Sequence, residues 1–264
     1  MSRIRSSVRK QPIFFIASRL VVILFVASLP LDSSDGDDGD GRSVPEKELL
    51  SIDFQTKDFS QWKNTCGACK FSLGDKQFVR PDPAGMRGYV GVYEGGSRRN
   101  ESASDSLPRD RDVTIKWSLY FDEDFNEMSS GTISQLIGRK PCFKGGLFHL
   151  RYENGNWGYW LRNVPGEHDI STKIPVRKGE WVDVQVDAKF TSNSEGYIFL
   201  FIKQGEEERA FVVAKNEPTY NSCKAGAYFK VGLYGRFAAE DKLLVDDIHA
   251  SLADGARKRN LPAN

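Results

Sequence analysis

Trp181-Val-Asp-Val-Gln-Val-Asp-Ala-Lys-Phe190 decides the fold. Val182, Val184, Val186 and Ala188 take the even positions, and Asp183, Gln185, Asp187 and Lys189 fall between them. Successive side chains of an extended strand point to opposite faces, so this segment is a strand with one buried and one wet face. The same alternation marks Asp112-Val-Thr-Ile-Lys-Trp-Ser-Leu-Tyr-Phe121, where Val113, Ile115, Trp117 and the following odd positions share a face. Tyr197-Ile-Phe-Leu-Phe-Ile202 is almost wholly apolar and reads as a deeply buried strand. Gly205-Glu-Glu-Glu208 reads as a polar turn leading into a strand over Ala210–Ala214, and Leu244–His249 closes the domain. Asn154-Gly155, Val164-Pro-Gly166, Lys178-Gly179 and Ser194-Glu-Gly196 punctuate these runs with turn residues. Sustained helical periodicity is absent. The pattern predicts an all-β fold, a concanavalin-like jelly-roll sandwich of two antiparallel sheets over residues 47–253, with no second domain and no repeat.

Composition narrows the function. The 264 residues carry 37 Lys+Arg against 36 Asp+Glu, which removes any global electrostatic case for nucleic-acid binding. Three His and four Cys leave few ways to build a His/Cys metal centre. No cofactor is expected, although acidic pairs such as Asp246-Asp247 leave calcium open.

The amino end differs in kind. Arg3, Arg5, Arg9 and Lys10 precede an apolar stretch that Arg19 interrupts, leaving a clean run from Leu20 to Pro30. A membrane span needs about 20 apolar residues. A basic flank, a short apolar core and the small residues around Ala27-Ser28 read as a signal peptide over 1–28, with an uncleaved anchor as the alternative. Residues 29–46, rich in Asp and Gly, read as a disordered acidic linker, and 254–264 as a loose tail. The expected location is therefore secreted or periplasmic, with no membrane attachment after cleavage, and a monomer is expected. In such a compartment Cys66, Cys69, Cys142 and Cys223 most simply form two disulfides; closeness in sequence favours Cys66–Cys69, leaving Cys142–Cys223.

Three segments carry chemistry. In Tyr228-Phe-Lys-Val-Gly-Leu-Tyr-Gly-Arg236, an extended chain puts Tyr228, Lys230, Gly232, Tyr234 and Arg236 on one face. Two phenols and two cations in a row suit an anionic ligand, and the mid-strand Gly232 suggests close approach of something. Arg98-Arg-Asn-Glu101 sets Arg99 and Glu101 on one face, a cation and a carboxylate available to one ligand. In Thr132-Ile-Ser-Gln-Leu-Ile-Gly138, Gln135 shares a face with Ile133 and Ile137, and a buried amide needs partners.

Together these segments resemble the jelly-roll polysaccharide lyases, namely the glucuronan-lyase and heparin-lyase-I-like families and the related alginate lyases. Those families carry an Arg-x-Glu strand, a Gln-x-His strand and a late Tyr-Phe-Lys-x-Gly-x-Tyr strand, in that order. Here the order is Arg99-Asn-Glu101, Gln135-Leu-Ile137, then Tyr228–Tyr234. Tyr120–Phe125, Gly179–Val182 and Val245–Ile248 extend the resemblance.

The resemblance implies β-elimination on an acidic polysaccharide, in which the C5 proton of a uronate leaves and the 4-linked sugar is expelled. Gln135 and Arg99 would neutralise the uronate carboxylate, Tyr234 would move the proton, and Lys230 would bind the acid sugar. The cations Lys230 and Arg236 suit a proton-transfer group that carries negative charge. Tyr228, Arg236, Glu101 and Arg151 complete the expected substrate contacts. Two positions depart from the pattern: Ile137 stands where the families have the His of Gln-x-His, and Arg236 where they have Gln. Three consequences are open. Tyr234 serves as both base and acid; the protein is a non-catalytic glycan-binding jelly roll; or His149, read on the next strand beside Leu147 and Arg151, restores the imidazole.

Arg151, Tyr152, Tyr159, Trp160 and Arg162 are read as groove lining. Asn100-Glu-Ser102 is a glycosylation sequon whose glycan would obstruct that groove. A glycosidase would need two facing carboxylates, and nothing in the sequence pairs Glu101 with Glu153.

Overall fold

The alternation read at residues 181–190 lies at the centre of one sheet. A computed structural model of the chain describes residues 47–52, 63–64, 71–74, 90–96, 99–138, 146–162, 164, 166–221 and 226–253. The signal peptide, the acidic linker, the tail and both proposed disulfides lie outside them.

The described residues form fifteen strands: β1 Glu48–Ile52, β2 Lys63–Asn64, β3 Phe71–Gly74, β4 Val90–Glu94, β5 Arg99–Leu107, β6 Asp112–Phe121, β7 Ser130–Gly138, β8 Gly146–Glu153, β9 Asn156–Leu161, β10 His168–Pro175, β11 Trp181–Lys189, β12 Tyr197–Gln204, β13 Glu207–Lys215, β14 Ala227–Arg236 and β15 Lys242–Leu252. An eight-stranded sheet runs β13-β12-β11-β6-β15-β4-β3, with β1 also on β15. A seven-stranded sheet runs β10-β9-β8-β7-β14-β5-β2. Neighbours pair antiparallel throughout both sheets, as between β11 and β6 and between β14 and β7.

The core forms between the two inner faces. Val182, Val184, Val186 and Ala188 of β11 are buried together with Val113, Ile115, Trp117, Leu119 and Phe121 of β6, as the alternation predicts. Burying each large apolar side chain contributes roughly 1.5–3 kcal/mol. Trp117 meets Phe229 of the facing sheet at 4.8 Å between ring centroids, and Phe121 stacks on Tyr152 at 5.6 Å. Trp157 Nε1 donates to Gln204 Oε1 at 3.1 Å, a buried hydrogen bond that joins β9 to β12 across the sandwich. Asn154 and Gly155 both take positive φ (49° and 80°), the backbone that a two-residue hairpin turn requires.

One boundary is corrected. Gln204 pairs with Glu207, so the turn is only Gly205-Glu206 and β13 begins at Glu207. Glu207, Glu208 and Arg209 are strand residues because β13 is the edge of its sheet, where a wet, charged side is compatible with pairing.

Candidate active site

β14 is the axis of the candidate site, because it lies inside its sheet between β7 and β5. Phe229, Val231 and Leu233 turn into the core, which leaves Tyr228, Lys230 and Tyr234 for the outer face. Gly232 has φ 136°, and a Cβ there would stand 2.2 Å from the Asn100 carbonyl oxygen. What approaches Gly232 is therefore the backbone of β5, not a ligand, and the close approach expected from the sequence is a matter of strand packing. Arg236 lies exposed at the end of the strand, opposite Ser130.

Two bulges in the β7–β8 pairing help set which side chains share this face. On β7, Thr132 pairs with Arg151 and Ser134 with Leu150, so Ile133 is the extra residue. Ile133 belongs to the core and not to the Gln135 face. Thr132 takes its place beside Gln135, and its Oγ1 lies 3.0 Å from His149 Nδ1. On β8, Leu136 pairs with Phe148 and Ile137 with Gly146, so Leu147 is displaced into the core and does not accompany His149. Thr132 is the one site residue the sequence reading missed. A bulge that inverts the alternation leaves no periodic signal to find.

The result is one cross-strand row. Lys230 stands opposite Gln135, Gln135 opposite His149, and His149 opposite Trp160. The neighbouring row sets Arg99 opposite Tyr234, Tyr234 opposite Thr132, and Thr132 opposite Arg151. Ile137 pairs with Tyr228 beyond the first row. The imidazole at 149 is thus adjacent to Gln135, whereas the family pattern places it two residues along the same strand.

Charge is arranged around Glu101. This carboxylate is fully buried; Gln135 Nε2 donates to its Oε1, and Lys230 Nζ and Arg99 Nε each lie 3.3 Å from its Oε2. Glu101 was expected to contact substrate. With no exposed surface it instead holds three neighbours in place. Arg99 is half-exposed, and its guanidinium carbon sits 4.1 Å above the centre of the Tyr234 ring. Burial pushes the Lys230 ammonium below its ordinary value and Arg99 adds to this, while Glu101 opposes the shift. Burial, reinforced by Arg162, Arg151 and Lys230, holds the His149 imidazole down to about 4. His149 is therefore neutral at ordinary pH. Its Nε2 is buried and has no hydrogen-bond partner among the described residues.

The other expected lining residues divide. Trp160 and Arg162 lie beside His149: Trp160 is 5.6 Å from the imidazole, and the Arg162 guanidinium carbon is 3.6 Å above the Trp160 ring. Arg151 is drawn to Glu153 at 2.7 Å and Asp169 at 2.9 Å. Tyr152 and Tyr159 belong to the core instead, since β8 and β9 turn them inward. Asn100 is also buried, and its Nδ2 donates to the Glu94 carbonyl at 3.1 Å, so the sequon asparagine does not face the groove.

Glu101 and Glu153 stand on β5 and β8 with β14 and β7 between them, about 14 Å apart by strand spacing alone. Glycosidase pairs sit within about 10 Å. Elsewhere, a cavity of about 350 Å³ opens on the eight-stranded sheet beside Lys116, Asp183, Gln185 and His249. Several of its polar groups are engaged: Ser118 donates to Asp183 at 2.8 Å, Gln185 Nε2 donates to Asp187 at 2.7 Å, and Ser51 lies 3.3 Å from His249 Nδ1.

The structure resembles a fungal endo-β-1,4-glucuronan lyase from Trichoderma reesei, with a TM-score of 0.59 at 14% identity over 78% of this chain and 96% of that one. It also resembles an alginate lyase from a Chlorella virus (TM-score 0.51, 12% identity, 78% and 100% covered). A carbohydrate esterase of a Shiga toxin-encoding bacteriophage matches with TM-score 0.51 at 10% identity over 79% of this chain and 100% of that one. These likenesses establish the jelly-roll sandwich, a fold that serves more than one carbohydrate chemistry. No curated protein sequence matches the chain. The polysaccharide lyase family model does match, over residues 46–249, and the chain belongs to that family.

Proposed function

We propose that the protein is an exported lyase that cleaves a uronate-containing polysaccharide by β-elimination on the outer face of β14, β7 and β8. The observation that carries this reading is the buried, unpartnered Nε2 of His149 in one row with Gln135 and Lys230. A buried polar atom left without a partner is costly, and a substrate carboxylate supplies the missing one once the neighbouring Trp160 ring gives way.

The C5 proton of a uronate is poorly acidic because its carboxylate already carries negative charge. Gln135, Arg99 and His149 offset that charge. With the Thr132 hydroxyl donating to Nδ1, His149 carries its proton on Nε2 and donates it to the carboxylate as a neutral imidazole. One fixed donor of this kind contributes about 3 kcal/mol to a transition state in which charge develops. Tyr234 acts from the same sheet face. As the phenolate it accepts the C5 proton, the C4–O bond breaks, a C4–C5 double bond forms, and the phenol returns the proton to the leaving oxygen. Lys230 binds the acid sugar. The wide separation of Glu101 and Glu153 favours this route over hydrolysis.

Incubation with glucuronan, alginate, heparin-type chains and ulvan tests the proposal. Ultraviolet absorbance from an unsaturated uronate is expected with one of them. Absence of that absorbance with all four, with binding to one retained, replaces elimination by non-catalytic glycan binding and makes Ile137 its cause.

A further inference from the structure

Arg151 and Arg162 both approach Trp160 from β8 and the end of β9, yet they differ in what they are free to do. The guanidinium carbon of Arg151 lies 5.4 Å from the Trp160 ring centre, and its charge is met by Glu153 at 2.7 Å and Asp169 at 2.9 Å. The guanidinium carbon of Arg162 lies 3.6 Å above the centre of the same ring. Its ion pair is with Glu167 at 3.5 Å, between side chains 40% and 49% exposed, a geometry that contributes little in water. Arg162 Nε has no hydrogen-bond partner among the described residues. Stacking holds the planar fork in one orientation, so its remaining donors are preorganised for a planar anion.

Arg162 also sits at a defined place. β9 is the second strand from β7, so Trp160 is about 10 Å from Gln135 across the sheet. That distance is beyond the sugar whose bond breaks and within reach of a neighbouring one. Trp160 and His149 fill the space between.

We infer that Arg162, stacked on Trp160, forms a second acidic subsite that takes the carboxylate of a uronate flanking the cleaved one. The inference rests on the elimination reading for the position of the central sugar. It makes the preferred substrate a run of consecutive uronates, and it makes Arg162 a determinant of specificity outside the proton transfer.

The test is calorimetric binding with Tyr234→Phe as a parent that does not turn over. The ligands are hexamers and dimers of 1,4-linked glucuronate and of 1,4-linked mannuronate, and the carboxyl-reduced hexamers. Adding Arg162→Gln is expected to weaken binding of the acidic hexamer about tenfold. Binding of the dimer and of the neutral hexamer is expected to stay within about twofold. Arg162→Lys, which keeps the charge but not the stacked fork, should fall between. Equal hexamer affinities in the parent and Arg162→Gln overturn the subsite, and so does an equal loss for dimer and hexamer. The two readings fail separately. Unsaturated product from the wild type with no effect of Arg162→Gln leaves elimination standing and removes the subsite. An Arg162-dependent hexamer affinity without unsaturated product does the reverse. No binding of any acidic hexamer overturns the subsite outright.

Discussion

Glu101 shows how one side chain organises the site without touching a ligand. A fully buried carboxylate is tolerable only because two cations and an amide meet it. Glu101→Ala leaves Lys230 buried without its partner, and an unfolding titration should show a loss of about 3–5 kcal/mol. Glu101→Gln, which keeps the shape, should lose less. His149 makes a second prediction at this scale. Its imidazole is held near 4 by burial and by Arg162, Arg151 and Lys230, below the ordinary value of about 6.5. Between those values the unfolded chain binds a proton that the folded chain refuses. The stability that His149 contributes is thus complete above pH 6.5 and lost as pH falls toward 4. Unfolding at pH 7 and pH 5 should show the wild type losing about 2 kcal/mol more than His149→Gln over that interval. Equal losses would mean that His149 is not buried as a neutral ring. Lys230 and Tyr234 were legible because they share one face of an alternating segment, and Gln135 because an amide among apolar neighbours stands out. The role of Glu101 was not, because Arg-x-Glu says that two charges share a face and nothing of how deep that face lies.

At the scale of elements, strands paired along both edges with one buried face declare themselves and irregular ones do not. β6 and β11 follow from alternation alone, since their neighbours satisfy both ladders. The edge strand β13 hid its first residues behind charge. The bulges at Ile133 and Leu147 exchanged which residues face the site, and no composition rule marks them. They bring Thr132 to His149 and thereby fix the imidazole. Gly232 is the element-scale test. A side chain there meets β5 backbone at 2.2 Å and must hold φ 136°, so Gly232→Ala should destabilise the fold by at least about 2 kcal/mol in denaturant unfolding. The pairing of Tyr234 with Arg99 lies two residues along the same ladder and should loosen with it, lowering activity. A Gly232→Ala protein of unchanged stability would contradict the packing account of this glycine.

At the scale of the whole molecule, the sandwich gives the site a rigid floor. The inner faces of the two sheets share one aromatic core, and the Trp157–Gln204 hydrogen bond ties the sheets together behind the row that ends at Trp160. The outer face of the seven-stranded sheet can then carry the buried carboxylate of Glu101, three buried nitrogen-bearing side chains (Gln135, His149 and Lys230) and the half-exposed Arg99 without collapse. The sequence order Arg99–Glu101, Gln135, Lys230–Tyr234 becomes the spatial order β5, β14, β7 only through the long-range pairing that places β14 between the other two. That pairing is why a resemblance in order along the chain reported a convergence in space. The place of His149 on β8, opposite Gln135, is likewise fixed by strand pairing. The measurement that tests the central claim most directly is the rate of unsaturated-uronate formation by Tyr234→Phe against the wild type, on the polymer the wild type cleaves. The account predicts a loss of at least about a hundredfold, with folding and polymer binding unchanged. Turnover by Tyr234→Phe at the wild-type rate would contradict it.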